Sequence, residues 1–280
     1  MKVWVNGAMV GHDEARVSVF DHGFTVGDGV FETTKVIDGV PFALTRHLER
    51  LDASAAAMGL PVPAHVVVRG AVAEVVAQLG AALGRVRITL TAGEAPLGSG
   101  RGDAEPTLVV AAAVMPPWPV TEACVLVPWV RNERSAVAGV KTTSYGDNVV
   151  ALAHARRHGA GEALFANSVG ELCEGTGTNV FVVHGDLVRT PPLSAGCLAG
   201  VTRALVLAWC PQVREERLTP ADLADADEVF LTSSTRDVQG VHAVDDRRYP
   251  SAPGPVTTAI ADTFVRNAAK APDPIGKIVI

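Results

Sequence analysis

Short apolar runs, Val3 to Asn6 and Met9 to Val10, flank Asn6-Gly7, a turn pair whose residues both tolerate positive φ, and they predict a hairpin. A second hairpin is predicted at Asp38-Gly39, between Val30 to Ile37 and Val40 to Leu44. Thr45 can cap a helix in which Leu48, Leu51, Ala55 and Met58 recur at helical spacing, and Gly59 ends it. A second helical stretch runs from Pro63 through Leu79, followed by strand-like runs at Val86 to Thr91 and Thr107 to Val114.

Pro116-Pro117-Trp118-Pro119 continues neither a sheet nor a helix, because proline supplies no backbone donor. This places an interdomain linker at 116–122, between an α+β domain at 1–115 and a second domain at 123–280. In the second half Cys124 to Val130, Glu162 to Ala166, Thr178 to Val183, Leu187 to Thr190 and Glu228 to Thr232 read as strands. Tyr145 to His158 and Val201 to Cys210 read as helices. The expectation is a mixed second domain around a barrel-like sheet, with no internal repeat.

Composition narrows the function classes. The 280 residues are 48% hydrophobic and 19% charged with a net charge of −6, which describes a compact soluble protein without the basic stripe that nucleic-acid binding needs. No apolar run is long enough to span a bilayer and the N-terminus lacks a signal-like apolar core, so a cytoplasmic location and no membrane partner are expected. Cys124, Cys173, Cys197 and Cys210 are scattered without metal-ligand or disulfide spacing, so no metal is expected, and Cys173 reads as a small buried residue.

The candidate chemistry rests first on Lys141 and Glu174. Lys141 follows the apolar stretch Ser135 to Val140, so its amine is expected to be partly desolvated and nucleophilic enough to form a Schiff base. Glu174 heads a small polar turn into a strand, where a carboxylate could keep the ring nitrogen of an aldehyde cofactor protonated. Together they suggest pyridoxal 5'-phosphate. Gly200-Val201-Thr202 opens a helix, and unpaired amides there suit a phosphate; an ordinary capped helix is the alternative. Thr232-Ser233-Ser234-Thr235 ends a strand, where consecutive hydroxyls and amides could meet the same phosphate or simply form a solvated turn. Arg50 lies beside the buried face of the first helix, and periodicity alone favours a surface arginine with a snorkelling stem.

Six motifs in order resemble the class IV aminotransferases, the fold-type IV pyridoxal phosphate enzymes. They are Asp21-His22-Gly23-Phe24 with Gly27-Asp28-Gly29-Val30-Phe31-Glu32-Thr33, His47-Leu48-Glu49-Arg50-Leu51, Lys141, Glu174-Gly with Asn179-Val-Phe181, Gly200-Val-Thr-Arg203, and Asp227-Glu228-Val-Phe with Thr232 to Thr235. The resemblance implies a two-domain fold, with a small α+β domain and a larger C-terminal pseudo-barrel. It implies a cofactor at the domain junction and a homodimer in which the neighbouring chain completes the site. It implies Lys141 as Schiff-base lysine and proton shuttle and Glu174 on the pyridine nitrogen, with Arg50, Val201, Thr202, Ser233 and Ser234 on the phosphate.

Within that family the strand residues Phe31, Thr33 and Lys35 share a face, which in the family lines the substrate pocket. Branched-chain enzymes carry Phe-x-Gly-x-Arg there and D-amino acid enzymes Tyr-x-Val-x-Lys. Aminodeoxychorismate lyases look like Phe-x-Thr-x-Arg, and Gly100-Arg101-Gly102 partly matches their loop. The reading is therefore a lyase giving 4-aminobenzoate and pyruvate, with Thr33 or Lys141 protonating the departing group and Arg101 on a substrate carboxylate. An aminotransferase acting on D-amino or branched-chain amino acids is the alternative, and a scaffold without turnover is a third.

Overall fold

Both asparagine- and aspartate-led turns form where the sequence expects them, but the second hairpin's returning strand is shorter than expected: it ends at Pro41, and Leu44 opens a helix. Asn6 and Gly7 sit at φ +44° and +100°, and Asp38 and Gly39 at +48° and +75°, a left-handed pairing that suits tight hairpins. The structure, a computed structural model, describes residues 2–275. It divides into two units: Met1–Pro117 with Val140–Tyr145 and the stretch from Pro272, and Trp118–Gly139 with Gly146–Ala271. The sequence reading assigned everything from residue 123 onward to the second domain. Val140–Tyr145 joins the first unit because the Phe31 amide donates to the Lys141 carbonyl at 3.0 Å. The stretch from Pro272 joins it because the Ala43 amide donates to the Pro272 carbonyl at 2.7 Å.

The first unit contains β1 (Lys2–Val5), β2 (Ala8–Gly11), α1 (His22–Thr25), β3 (Gly29–Ile37) and β4 (Val40–Pro41). It continues with α2 (Leu44–Ala57), α3 (His65–Val76), β5 (Gly84–Thr91) and β6 (Thr107–Val114). The strands form one six-stranded antiparallel sheet in the order β2-β1-β6-β5-β3-β4. Val30 and Val36 of β3, Val86, Ile88 and Leu90 of β5, and Val110 of β6 alternate onto one face. That face is packed by Leu48, Leu51 and Ala55 of α2 and Val68, Val72 and Val75 of α3. Each fully buried aliphatic side chain contributes about 1.5–3 kcal/mol.

Thr45 does not cap α2. The helix starts at Leu44, and the carboxylate of Asp273 accepts from both the Thr45 amide (2.8 Å) and its hydroxyl (2.6 Å). A carboxylate is the stronger partner there because the helix dipole favours negative charge at its first turn.

The second unit contains β7 (Thr121–Arg131), α4 (Gly146–Arg157), β8 (Glu162–Asn167), β9 (Leu172–Gly175), β10 (Asn179–His184) and β11 (Leu187–Thr190). Then come α5 (Val201–Trp209), β12 (Val213–Glu215), α6 (Pro220–Asp225), β13 (Glu228–Ser233), β14 (Asp237–Val244), β15 (Arg247–Arg248) and α7 (Pro255–Lys270). The sheet runs β12-β11-β10-β13-β14-β7-β8-β9, with β15 on β14. β9 ends that order, yet only the short turn 176–178 separates it from β10, several strands away. The sheet must therefore curl to bring its edge back, which makes the half-barrel of the expected two-domain fold. Phe181 and Phe230 pair across the ladder and stack at 4.6 Å, on the face opposite Val180, Val182, Val229 and Leu231, which belong to the apolar cluster that β8, β9, β10, β13 and β14 share. The sequence reading did not anticipate β14 and α7; α7 is held at its start by Glu228, whose carboxylate accepts from the Val256 (3.0 Å) and Thr257 (2.8 Å) amides.

Candidate active site

Lys141 lies against the start of β3. Phe31 donates to its carbonyl, the Thr143 amide donates to the Gly29 carbonyl at 2.8 Å, and the Lys141 amide donates to Ser54 Oγ at 3.3 Å. Nζ sits 4.5 Å from the centroid of the Phe31 ring and 5.9 Å from that of Tyr145, and the two rings meet edge to face at 5.1 Å. Lys141 is half-buried. Its apolar cover comes from these rings; Ala136 and Val137 of the preceding stretch are exposed, so that stretch does not shield the amine.

The stripe read from the sequence is present in β3. Phe31 and Lys35 are buried and Thr33 is half-buried, while Val30, Glu32, Thr34 and Val36 take the opposite face. Thr33 pairs across the ladder with Arg87 of β5, whose guanidinium carbon stands 3.7 Å from the Phe31 ring centroid. Sequence reasoning missed Arg87 and Tyr145. Arg87 alternates with Val86 and Ile88 as an exposed polar position would, and only the strand register reveals that it covers Phe31.

Arg50 is only 3% exposed, so the snorkelling reading from periodicity is corrected. Its Nε and Nη2 donate to the two oxygens of Glu32 at 2.7 and 2.8 Å, and His47 Nδ1 lies 2.7 Å from Glu32 Oε2. The physical reason is that a carboxylate on the core face of β3 cannot be buried without a cation. Burial alone would raise Glu32, but Arg50 and then His47 outweigh it and hold the carboxyl well below the usual carboxylate range. Burial also pushes His47 down, against the pull of Glu32.

Arg101 is committed elsewhere. Its Nε and Nη2 donate to Asp28 at 2.7 and 2.6 Å, and its fork also reaches the Gly59 (3.0 Å) and Met58 (2.6 Å) carbonyls at the end of α2. The carboxylate it holds is Asp28, where the sequence reading assigned it a substrate's. Orphan carbonyls past a helix C-terminus attract a guanidinium, which explains the placement.

In the second unit Glu174, on β9, has partners for both oxygens. Arg131 Nε stands 3.1 Å from Oε1, and the Leu198 amide donates to Oε2 at 2.8 Å. Arg131 also lies over the Phe165 ring at 4.3 Å. The turn after Glu174 is pinned by Glu162, which is buried, pairs with Arg236 at 3.3 Å, and accepts from the amide (3.0 Å) and the hydroxyl of Thr176. Val201 and Thr202 are buried at the first turn of α5, whose start carries no side-chain cap. Ser233 and Ser234 follow at the end of β13, where Ser233 Oγ accepts from the Arg236 amide at 3.2 Å.

These residues fit a phosphate. A Cβ at Gly200 would come within 2.0 Å of Asn179 Oδ1, so that position stays side-chain-free and leaves the amides of the α5 start uncovered. Thr232 pairs across the ladder with Asn179 and shares its face; its hydroxyl is buried without a hydrogen-bond partner among the described residues. A buried orphan hydroxyl is costly unless a ligand satisfies it.

The chain belongs to the class IV aminotransferases, which are pyridoxal phosphate-dependent enzymes: the family model "Amino-transferase class IV" matches residues 29–244, and the half-barrel, the lysine beside β3 and the anion-ready start of α5 each accord with it. It is 34% identical, over 88% of its own length and 89% of the relative's, to a protein of Methanocaldococcus jannaschii provisionally named a branched-chain-amino-acid aminotransferase. It is 29% identical to the D-alanine aminotransferase of Bacillus licheniformis over 96% of this chain and 99% of that one. Among solved structures it is similar to a hypothetical aminotransferase from Mycobacterium tuberculosis in an alpha-ketoglutarate and PMP bound form, with a TM-score of 0.85, 27% identity, and coverage of 96% and 98%.

Proposed function

We propose that the chain is a 4-amino-4-deoxychorismate lyase, releasing 4-aminobenzoate and pyruvate. The observation that carries this reading is Thr33. It offers a hydroxyl on the same face as Phe31, whose ring carries the Lys141 amine at 4.5 Å, and it lies directly across from Arg87. An aromatic surface, a hydroxyl and a guanidinium suit an unsaturated ring that bears one carboxylate and an enolpyruvyl ether bearing another.

Pyridoxal phosphate, when bound, supplies a ring that stores the negative charge left by removal of a substrate proton. Lys141 anchors the cofactor and takes the substrate ring proton. Glu174, held in place by Arg131 and the Leu198 amide, would face the pyridine nitrogen. Val201, Thr202, Ser233, Ser234 and Arg50 would hold the phosphate, and Thr232 would find there the partner its hydroxyl lacks among the described residues. The C–O bond to the enolpyruvyl group then breaks, and Thr33 delivers a proton to the departing enolpyruvate, which leaves as pyruvate. Arg87 and Lys35 hold the substrate carboxylates. We further infer a homodimer, supported by the exposed apolar run Val19, Phe20, Phe24 and Val26.

The second reading is transamination, favoured by the names of the two curated relatives, both aminotransferases. It uses the same Lys141 and Glu174, with a 2-oxo acid as acceptor. Supplying aminodeoxychorismate without any 2-oxo acid separates the two. Formation of 4-aminobenzoate and pyruvate supports the lyase; no product, together with amino transfer from D-alanine or a branched-chain amino acid to 2-oxoglutarate, reverses the assignment.

A further inference from the structure

His22, which has no part in the reaction above, sits at the centre of a buried polar cluster. The ring is 1% exposed, with Nδ1 2.8 Å from Asp28 Oδ2 and Nε2 2.8 Å from the Gly98 carbonyl. A carbonyl oxygen only accepts, so Nε2 carries a proton. Asp28 is engaged through both oxygens by Arg101, which holds it as an acceptor-only carboxylate, so Nδ1 carries a proton as well. With both nitrogens donating, the ring is an imidazolium.

The charged groups facing the ring are Asp28, from the turn before β3, and Arg101, from the loop that follows β5. Asp21, next in sequence, is turned away to the Gly23 amide and the Thr91 hydroxyl, both at 2.8 Å. The hydrogen bond to Asp28, and then the one to Gly98, raise His22 above its ordinary value.

Asp28 is the middle residue of Gly27-Asp28-Gly29, and this turn carries the lysine segment. The Gly27 carbonyl accepts from the hydroxyls of Thr143 (3.0 Å) and Ser144 (3.1 Å), and the Gly29 carbonyl accepts from the Thr143 amide at 2.8 Å. The approach is close enough that a Cβ at Gly27 would meet Ser144 Oγ at 2.5 Å. A bonded path therefore runs from Gly98 through His22 and Asp28 to the turn, and from the turn to the chain bearing Lys141.

We propose that His22 is a positioning residue whose protonated ring fixes the Gly27-Asp28-Gly29 turn and, through Thr143 and Ser144, the Lys141 amine, so that Lys141 loses its alignment when the ring gives up its proton. This rests on Lys141 being the cofactor lysine. A group raised in the folded state contributes fully below its unfolded value, about 6.5, and the contribution disappears as pH rises through the higher folded value. His22 thus supports the site at neutral pH and releases it on the alkaline side.

The test compares the full-length wild type with His22→Gln and His22→Lys between pH 6 and 10. Two readouts are taken: the rate at which added pyridoxal phosphate forms a borohydride-sensitive visible band, and the urea midpoint of the protein before cofactor is added. Wild type is expected to lose band-forming rate and urea resistance together as pH rises. His22→Gln should flatten both profiles and form the band about 10-fold more slowly at neutral pH, the scale of a sub-ångström misplacement. His22→Lys, a cation that titrates later, should move both falls to higher pH. Profiles in either variant that superimpose on wild type overturn the proposal. If no band forms in any variant, the cofactor reading has failed, and the urea profiles still decide whether His22 carries the charge: an unchanged midpoint profile in His22→Lys overturns it.

Discussion

Arg131 and Glu174 form an ion pair at 3.1 Å whose guanidinium also lies 4.3 Å over the Phe165 ring. Glu174 is thereby held as an anion from one side while the Leu198 amide bonds its other oxygen. Replacing Arg131 by Met keeps most of the contact with Phe165 and removes the charge. The expected result is weaker pyridoxal phosphate binding and lower activity, because Glu174 loses the guanidinium that holds its Oε1 in place. Titration with the cofactor, followed by absorbance, checks this. The stability cost should stay near 1 kcal/mol, the scale of a partly exposed cation–π contact, read from urea unfolding.

Arg87 is placed to act on substrate binding more than on the chemical step. It covers Phe31 at 3.7 Å and its Nε donates to Thr89 Oγ1 at 3.2 Å, so its fork is oriented before any substrate arrives. Arg87→Met should raise KM for a carboxylate-bearing substrate by about 10- to 100-fold, the equivalent of one lost charge-assisted hydrogen bond at about 1.5–3 kcal/mol, with kcat changed much less. Steady-state kinetics with the substrate the enzyme accepts decides it; a fall in kcat at constant KM would place Arg87 in the chemistry instead.

The two arginines show where a single sequence stops being readable. Gly200 lies at a helix start and Glu174 beside a small-residue turn, and both features were legible; Lys141 was singled out for the apolar stretch before it, whose Ala136 and Val137 prove exposed. Arg87 acts across a strand ladder and Arg131 reaches from β7 to Glu174 on β9, past the intervening β8, and in the chain they look like polar positions on alternating strands. Arg50 misled for a related reason: helical spacing puts it near the edge of the buried face, and only the Glu32 carboxylate on β3 explains why it turns inward. Fold elements failed in the same way. α7 begins Pro255-Val-Thr-Thr, a poor helix former locally, and depends on the distant Glu228 for its first amides.

Glu32, Arg50 and His47 make a buried charged cluster whose balance is testable by acid. A carboxylate held below its ordinary value contributes stability above its unfolded value, about 4.3, and loses it as pH falls from there toward the folded value. Wild type should therefore weaken steeply below about pH 4.3. Glu32→Gln should be less stable at neutral pH by about 3–5 kcal/mol, because it leaves Arg50 buried without its counter-ion, and its urea midpoint should fall less steeply with acid. Parallel curves for the two proteins would mean that the acid sensitivity lies elsewhere.

Gly200 separates the phosphate site from the fold that carries it. Its φ of −66° and ψ of 133° are open to any residue, so alanine there meets no backbone strain, only the contact of its Cβ with Asn179 Oδ1 at 2.0 Å. Relief requires either the start of α5 or the Asn179 side chain to move, and Asn179 also donates to the Leu198 carbonyl at 2.9 Å, in the segment that feeds Glu174. Gly200→Ala is expected to cost about 1–3 kcal/mol in stability, as overpacking does, and to weaken pyridoxal phosphate binding, followed by absorbance or fluorescence titration. Asn179→Ala removes the obstructing oxygen. If the clash is the cause, the double variant should be more stable than the sum of the two single changes allows, a coupling of neighbouring sites that urea unfolding can resolve. Additive losses would show that Gly200 is required for a reason other than the space Asn179 occupies.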